Sequence, residues 1–177
     1  WTGIKINKDG YDQNKKFARP DYSVNKKYKR VKETWTFSSD ANIISTPAAN
    51  DDMVFVGNQN GAMCAFDLNN GKLLWKFQTE GAIFSSPAIS NDKLIFGSGD
   101  SNVYCLNTNN GTLIWKYTTG ASVLGSPVIN GDTVFIGGSD HSFLALNKNT
   151  GNKIWKFDGL EGPVVSTPVL YEDKLIF

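Results

Sequence analysis

Trp35, Trp75, Trp115 and Trp155 stand at an unbroken interval of forty residues. Pro47, Pro87, Pro127 and Pro168 keep the same step, the last arriving one residue late. Gly57, Gly97 and Gly137 form a third column, and Gly71, Gly111 and Gly151 a fourth. Chance does not hold four columns in register, so the chain is built from an internal repeat. A period near forty admits helical pairs or four-stranded blades.

The local pattern decides between them. One unit contains the apolar segments "AIFSSPAI", "KLIFG", "NVYCLN" and "TLIWKY", rich in Ile, Val, Leu, Phe and Tyr. These are strand lengths, too short for helices. They are separated by "SND", "SGDS" and "NTNNG", which are turn compositions. The repeated prolines would also break a helix interior. Each unit is therefore expected to be an antiparallel meander of four strands, a to d, running from Pro to Trp. The phrases "NNG" and "NTG" place Asn or Thr before Gly, where a tight hairpin needs positive φ. "ND" at 91 and "GD" at 131 serve the hairpin before it. A meander cannot bury both faces alone, so successive units stack, and around an axis they make an all-β propeller.

At "AFDLNNGKLLW", residues 65–75, the chain resembles the tryptophan-docking motif of the pyrroloquinoline-quinone (PQQ) repeat propellers, roughly A-x-D-x-x-T-G-x-x-x-W. The motif recurs as "CLNTNNGTLIW" and "ALNKNTGNKIW". The Gly-His and Trp-Asp signatures of the WD repeat are missing. The resemblance implies that Trp75, Trp115 and Trp155, with Trp35 ahead of them, pack between blades against a Gly-centred turn of a neighbour. Gly71, Gly111 and Gly151 are those glycines. It also implies an extracytoplasmic address. Residues 35–177 are read as blades and residues 1–34 as a lead-in. "EDKLIF" at the C-terminus aligns with "NDKLIF" at 91–96, so the sequence stops inside strand b of a fourth unit. Three complete repeats and part of a fourth are expected to be a fragment of a ring of about 7–8 blades.

Charge is unevenly spread along a chain of formal net charge +1. Residues 1–34 hold ten Lys/Arg against four Asp/Glu. With Tyr11, Phe17, Tyr22 and Tyr28 interleaved, this segment reads either as an arm for an anionic surface or as a solvated lead-in whose aromatics dock on the domain. The lysines are scattered and no RNA-binding signature accompanies them, so no nucleic-acid partner is expected. No apolar run approaches the ~20 residues of a membrane helix. Cys64 and Cys105 fall at neighbouring positions of one repeat strand, so they face opposite sides of their sheets. They are read as small buried hydrophobes, not a disulfide.

Alternate turns of a meander emerge on one side. The d-to-a turns ("FQTEGA", "YTTGAS", "FDGLEG") and the b-to-c turns ("GSGDS", "GGSDHS") thus share a rim carrying Glu80, Asp100, Asp140, His141 and Glu161. Asp100 and Asp140 hold one repeat position, where Asn60 also serves, and are read as turn-forming Asx residues. His141 is the one histidine and is read as a surface residue. Glu80 and Glu161 occupy unmatched positions and are the better candidates for a ligand. No zinc spacing, phosphate loop or nucleophile elbow is present. No catalytic residue or metal ligand is assigned. The expected function is a non-catalytic scaffold for a protein or surface ligand, without cofactor. One alternative is part of a dehydrogenase using PQQ and calcium, although the adjacent cysteine pair such enzymes carry is missing. Another is a carbohydrate- or polymer-binding module of a cell surface.

Overall fold

The structure is a computed structural model that describes residues 33–172 and 174–177. The basic segment and its aromatics, apart from Glu33 and Thr34, lie outside the described residues. Three four-stranded antiparallel sheets and one strand pair follow in chain order. The first blade is β1 (Ala48–Ala49), β2 (Met53–Gly57), β3 (Ala62–Asp67) and β4 (Leu73–Gln78). The second is β5 (Ala88–Ser90), β6 (Lys93–Gly97), β7 (Asn102–Asn107) and β8 (Leu113–Thr118). The third is β9 (Val128–Asn130), β10 (Thr133–Gly137), β11 (Ser142–Asn147) and β12 (Lys153–Asp158). β13 (Val169–Tyr171) pairs with β14 (Lys174–Ile176). Each sheet is a plain meander in sequence order. The all-β propeller with a forty-residue blade is therefore the architecture of this chain.

The core lies between blades, not within one. Strands b and c are apolar on both faces, and each face serves a different neighbour. Leu94, Phe96, Tyr104 and Leu106 point back to join Met53, Phe55, Met63 and Ala65 of the first blade. Ile95, Val103 and Cys105 point forward to meet Val134, Ile136, Leu144 and Leu146 of the third. Alternation with a period of two thus hides in a run that looks uniformly hydrophobic. Cys64 and Cys105 follow the same rule, one on the backward face and one on the forward face. Both are free and buried, and burial pushes the Cys105 thiol up to about 12.

Two details differ from the reading of the sequence. Strand a is only two or three residues long and starts after the proline, whereas the apolar segment "AIFSSPAI" suggested a longer strand. Pro87 has no N–H for a ladder, and the residues before it spend their polar groups across the structure. The Ser85 hydroxyl accepts the Gly97 N–H at 3.1 Å. The N–H of Thr46 donates to Ser86 Oγ of the next blade at 2.8 Å, and that of Ser86 to Ser126 Oγ at 2.9 Å. A hydroxyl ladder therefore steps from blade to blade beside the innermost strands.

The c-to-d turn is also not the two-residue hairpin that "NNG" suggests. Gly71 N–H donates to Asp67 O at 2.9 Å and Asp67 N–H to Lys72 O at 2.9 Å, so four residues form the loop. Asp67 Oδ1 accepts the N–H groups of Asn69 and Asn70. Only the glycine takes positive φ, 70° at Gly71 and Gly111 and 72° at Gly151. A two-residue type I′ turn would have put the preceding residue there too.

Candidate functional site

The turns at the two ends of the blades do different work. On the c-to-d side Trp35, Trp75 and Trp115 each lie on the glycine of the turn that follows one repeat later. A Cβ added to Gly71, Gly111 or Gly151 would stand 2.6 to 2.7 Å from the rings of Trp35, Trp75 and Trp115 respectively. The indole N–H groups donate at 2.8 Å to the carbonyls of Leu68, Thr108 and Lys148. Ring and N–H are thus both satisfied by one turn, which is what a buried indole requires. Trp115, with neighbours on both sides, is 7% exposed, and Trp155 is 39% exposed beside Phe135 and Phe143.

The opposite rim gathers Glu80, Asp100, Asp140, His141 and Glu161 on the d-to-a and b-to-c turns. Here the five separate into two groups. Asp100 Oδ2 accepts the backbone N–H of Glu80 at 3.0 Å, reaching back to the turn of the preceding blade. Asp140 Oδ2 accepts that of Gly120 at 3.2 Å in the same way. Within its own blade Asp100 also takes the Tyr104 hydroxyl at 2.8 Å and the Asn102 N–H at 3.2 Å. Asp140 takes the Ser142 hydroxyl at 2.6 Å and Lys156 Nζ at 3.2 Å. Burial alone would raise both carboxyls. The hydrogen bonds together outweigh it, so both sit below the usual carboxylate value. Burial and the Asp100 carboxylate push the Tyr104 phenol far up, keeping it a donor.

Thr79 and Thr119 tie the same d-to-a turns to their own blades. Thr79 donates its N–H to Gly61 O at 2.9 Å, and Thr119 its N–H to Ser101 O at 2.8 Å. Their hydroxyls bond onward to the carbonyls of Gly81 and Ala121. Glu80, His141 and Glu161 are exposed, and among the described residues their side chains make no hydrogen bond or ion pair. His141 holds φ 58°, the place of Gly61 and Ser101 in the other blades. Among the described residues no carboxylate is hydrogen-bonded to or ion-paired with the His141 ring. Sequence reasoning missed Lys156, which bridges Asp140 and Asp158 at 3.2 and 2.9 Å. Its recurrence with Lys76 and Lys116, one residue past Trp155, Trp75 and Trp115 respectively, was the available signal. Among the described residues no cluster of three or more His, Cys, Asp or Glu could hold a metal ion.

Blades of this length, clasped by a Trp over a Gly turn, define a PQQ-repeat β-propeller. The family model described as outer membrane protein assembly factor BamB matches residues 28–86 and 67–177, and the chain belongs to that family. The crystal structure of BamB from Moraxella catarrhalis superposes with a TM-score of 0.72 at 25% identity, over 80% of this chain and 45% of that one. The computationally designed Ika4 protein gives 0.73 at 15% identity, over 82% and 91%. A quinohemoprotein alcohol dehydrogenase from Pseudomonas putida HK5 gives 0.60 at 20% identity, over 68% and 21%. The last two likenesses show the fold alone. The chain thus spans less than half the length of the BamB structure. No curated protein matches it.

Proposed function

We propose that this chain is a non-catalytic scaffold whose d-to-a and b-to-c rim docks a protein partner outside the cytoplasm. One observation carries the reading. The rim carboxylates at the repeated position are spent on holding blades together, while Glu80, His141 and Glu161 stand exposed and unengaged among the described residues. Rim charges that the scaffold does not use are available to a partner. Membership of a family described as an assembly factor supports both the protein partner and the extracytoplasmic address.

The residues present do not fit a centre for PQQ and calcium. The carboxylates of Asp100 and Asp140 already take three or more partners each, and Cys64 and Cys105 lie buried in separate blades.

Site-specific photo-crosslinkers test the reading in the cell that makes the protein. Placed at Glu80 and Glu161, they should trap one partner, and one at Asn109 on the opposite side should not. With the crosslinker at His141 instead, Glu80→Lys with Glu161→Lys should abolish the adduct. Equal trapping on both sides, or dye reduction by the purified chain with PQQ, calcium and an alcohol, would overturn the proposal.

A further inference from the structure

The first two c-to-d turns contain Asn–Gly peptides, Asn70–Gly71 and Asn110–Gly111, and the third has Thr150–Gly151. Glycine suits the turn because it tolerates positive φ. The same lack of a side chain leaves its nitrogen unhindered toward the preceding asparagine, a thermolabile residue. The Gly nitrogen loses its proton and attacks Cγ of Asn. A C–N bond forms, and the side-chain nitrogen leaves as ammonia. Water then opens the five-membered imide at either carbonyl, giving aspartate or isoaspartate. Water is the sole co-reactant.

We propose that Asn70 is a site of spontaneous deamidation and isoaspartate formation, gated by the docking of Trp35 on the Gly71 turn. In the docked turn Gly71 N–H is held by Asp67 O at 2.9 Å, and Asn70 Oδ1 accepts Lys72 N–H at 2.9 Å. Both bonds must open before the nitrogen can reach Cγ, so the reaction runs through local opening. The second turn repeats these bonds and adds one, from the Thr112 hydroxyl to Asn110 Oδ1 at 2.7 Å. Its clasp is also stronger. Trp75 belongs to β4 and covers a buried Gly111, whereas Trp35 comes from an irregular segment and its indole hydrogen bond is exposed.

One effect opposes this order. Asp67 in the first turn is Asn107 in the second, and a carboxylate disfavours a neighbouring nitrogen anion. A unit charge ~4 Å away in water changes a rate by roughly fivefold. Opening a well-clasped turn changes it by orders of magnitude, so docking decides in the folded protein. Isoaspartate lengthens the backbone by one methylene. Gly71 already lies so close to the Trp35 ring that a Cβ would stand 2.6 Å from it. The converted turn therefore cannot redock.

The full chain is aged in mildly alkaline buffer, folded and in denaturant. Peptide mapping reads the amide-to-acid mass gain, and isoaspartyl methyltransferase labelling reads the isomer. In the folded protein Asn70 should convert several-fold ahead of Asn110. In denaturant the difference should shrink to within about fivefold, because docking is lost and the Asp67 charge is offset by Lys72, the counterpart of Thr112. Asn70→Thr, the residue of the third blade, should remove the first signal and leave the second. Trp35→Phe, which loses the bond to Leu68, should speed Asn70 several-fold and leave Asn110 unchanged. Trp35→Ala should speed it further. Asn110 converting first in the folded chain, or an Asn70 rate indifferent to Trp35→Phe, would overturn the proposal.

Discussion

The clasp side and the rim side of these blades solve one problem, joining neighbours, with different materials. On the clasp side a large indole covers a glycine, and the three pairs agree to within about a tenth of an ångström in their closest approach. On the rim side a side chain of the b-to-c turn reaches back to the turn before it. It is the carboxylate of Asp100 or Asp140 in two blades, and in the first Asn58 Nδ2 donates to Asp40 Oδ1 at 3.0 Å instead. Apolar packing of a large ring demands one shape, so it cannot vary. A hydrogen bond at a partly wet rim can be made by several residues, so it does. The difference teaches where change is tolerated, and hence where a partner surface can evolve.

Trp115→Ala should break the comparison most severely. The residue is buried and bonds Lys148 O at 2.8 Å, and truncating such a side chain costs ~3–5 kcal/mol. Denaturant titration should show a midpoint far below wild type. A midpoint unchanged within error would mean that the clasp is decorative.

Asp140→Ala comes next. It strips acceptors from Gly120 N–H, the Ser142 hydroxyl and Lys156, and charged hydrogen bonds of this kind are worth ~1.5–3 kcal/mol. Asp140→Asn keeps one carbonyl acceptor and should lose less. If the two variants unfold together, the reach-back bond contributes nothing.

Acid should sharpen the same contrast. Asp100 and Asp140 have folded values below their unfolded ones, so the ionised form favours the folded state. Their contribution is present above the unfolded carboxylate value, about 4, and is lost as pH falls through the folded values. Stability followed by denaturant midpoint should fall with acid in that window, and Asp140→Asn should flatten the slope. The indole and the glycine of the clasp do not titrate and should not contribute to it.

Glu80→Ala should have the smallest effect, under about 0.5 kcal/mol, because the side chain is exposed and only its backbone N–H joins the rim contact. Substantial unfolding would show that Glu80 serves the scaffold.

Much of the fold was legible because a repeat states its pattern several times. The Trp, Pro and Gly columns and the strand lengths of b, c and d can be read without coordinates. Strand a was misjudged because its residues are apolar enough for a ladder, while Pro87 and Ser85 divert the backbone elsewhere. The rim was legible as a set of turns on one side. What separated its five residues was not. Asp100 lies twenty residues from Glu80, and no spacing rule says that its oxygen crosses to the neighbouring blade.

By itself the sequence determined the period, the meander and the Trp and Gly columns of the clasp. These follow from local rules, the two-residue alternation of strands and the conformational needs of glycine and proline. The tertiary structure alone decided which neighbour each face meets. It decided that the Asp oxygens are already spent while Glu80, His141 and Glu161 are free among the described residues. Those contacts join groups distant in the chain, and they form only once hydrophobic burial has brought two blades together.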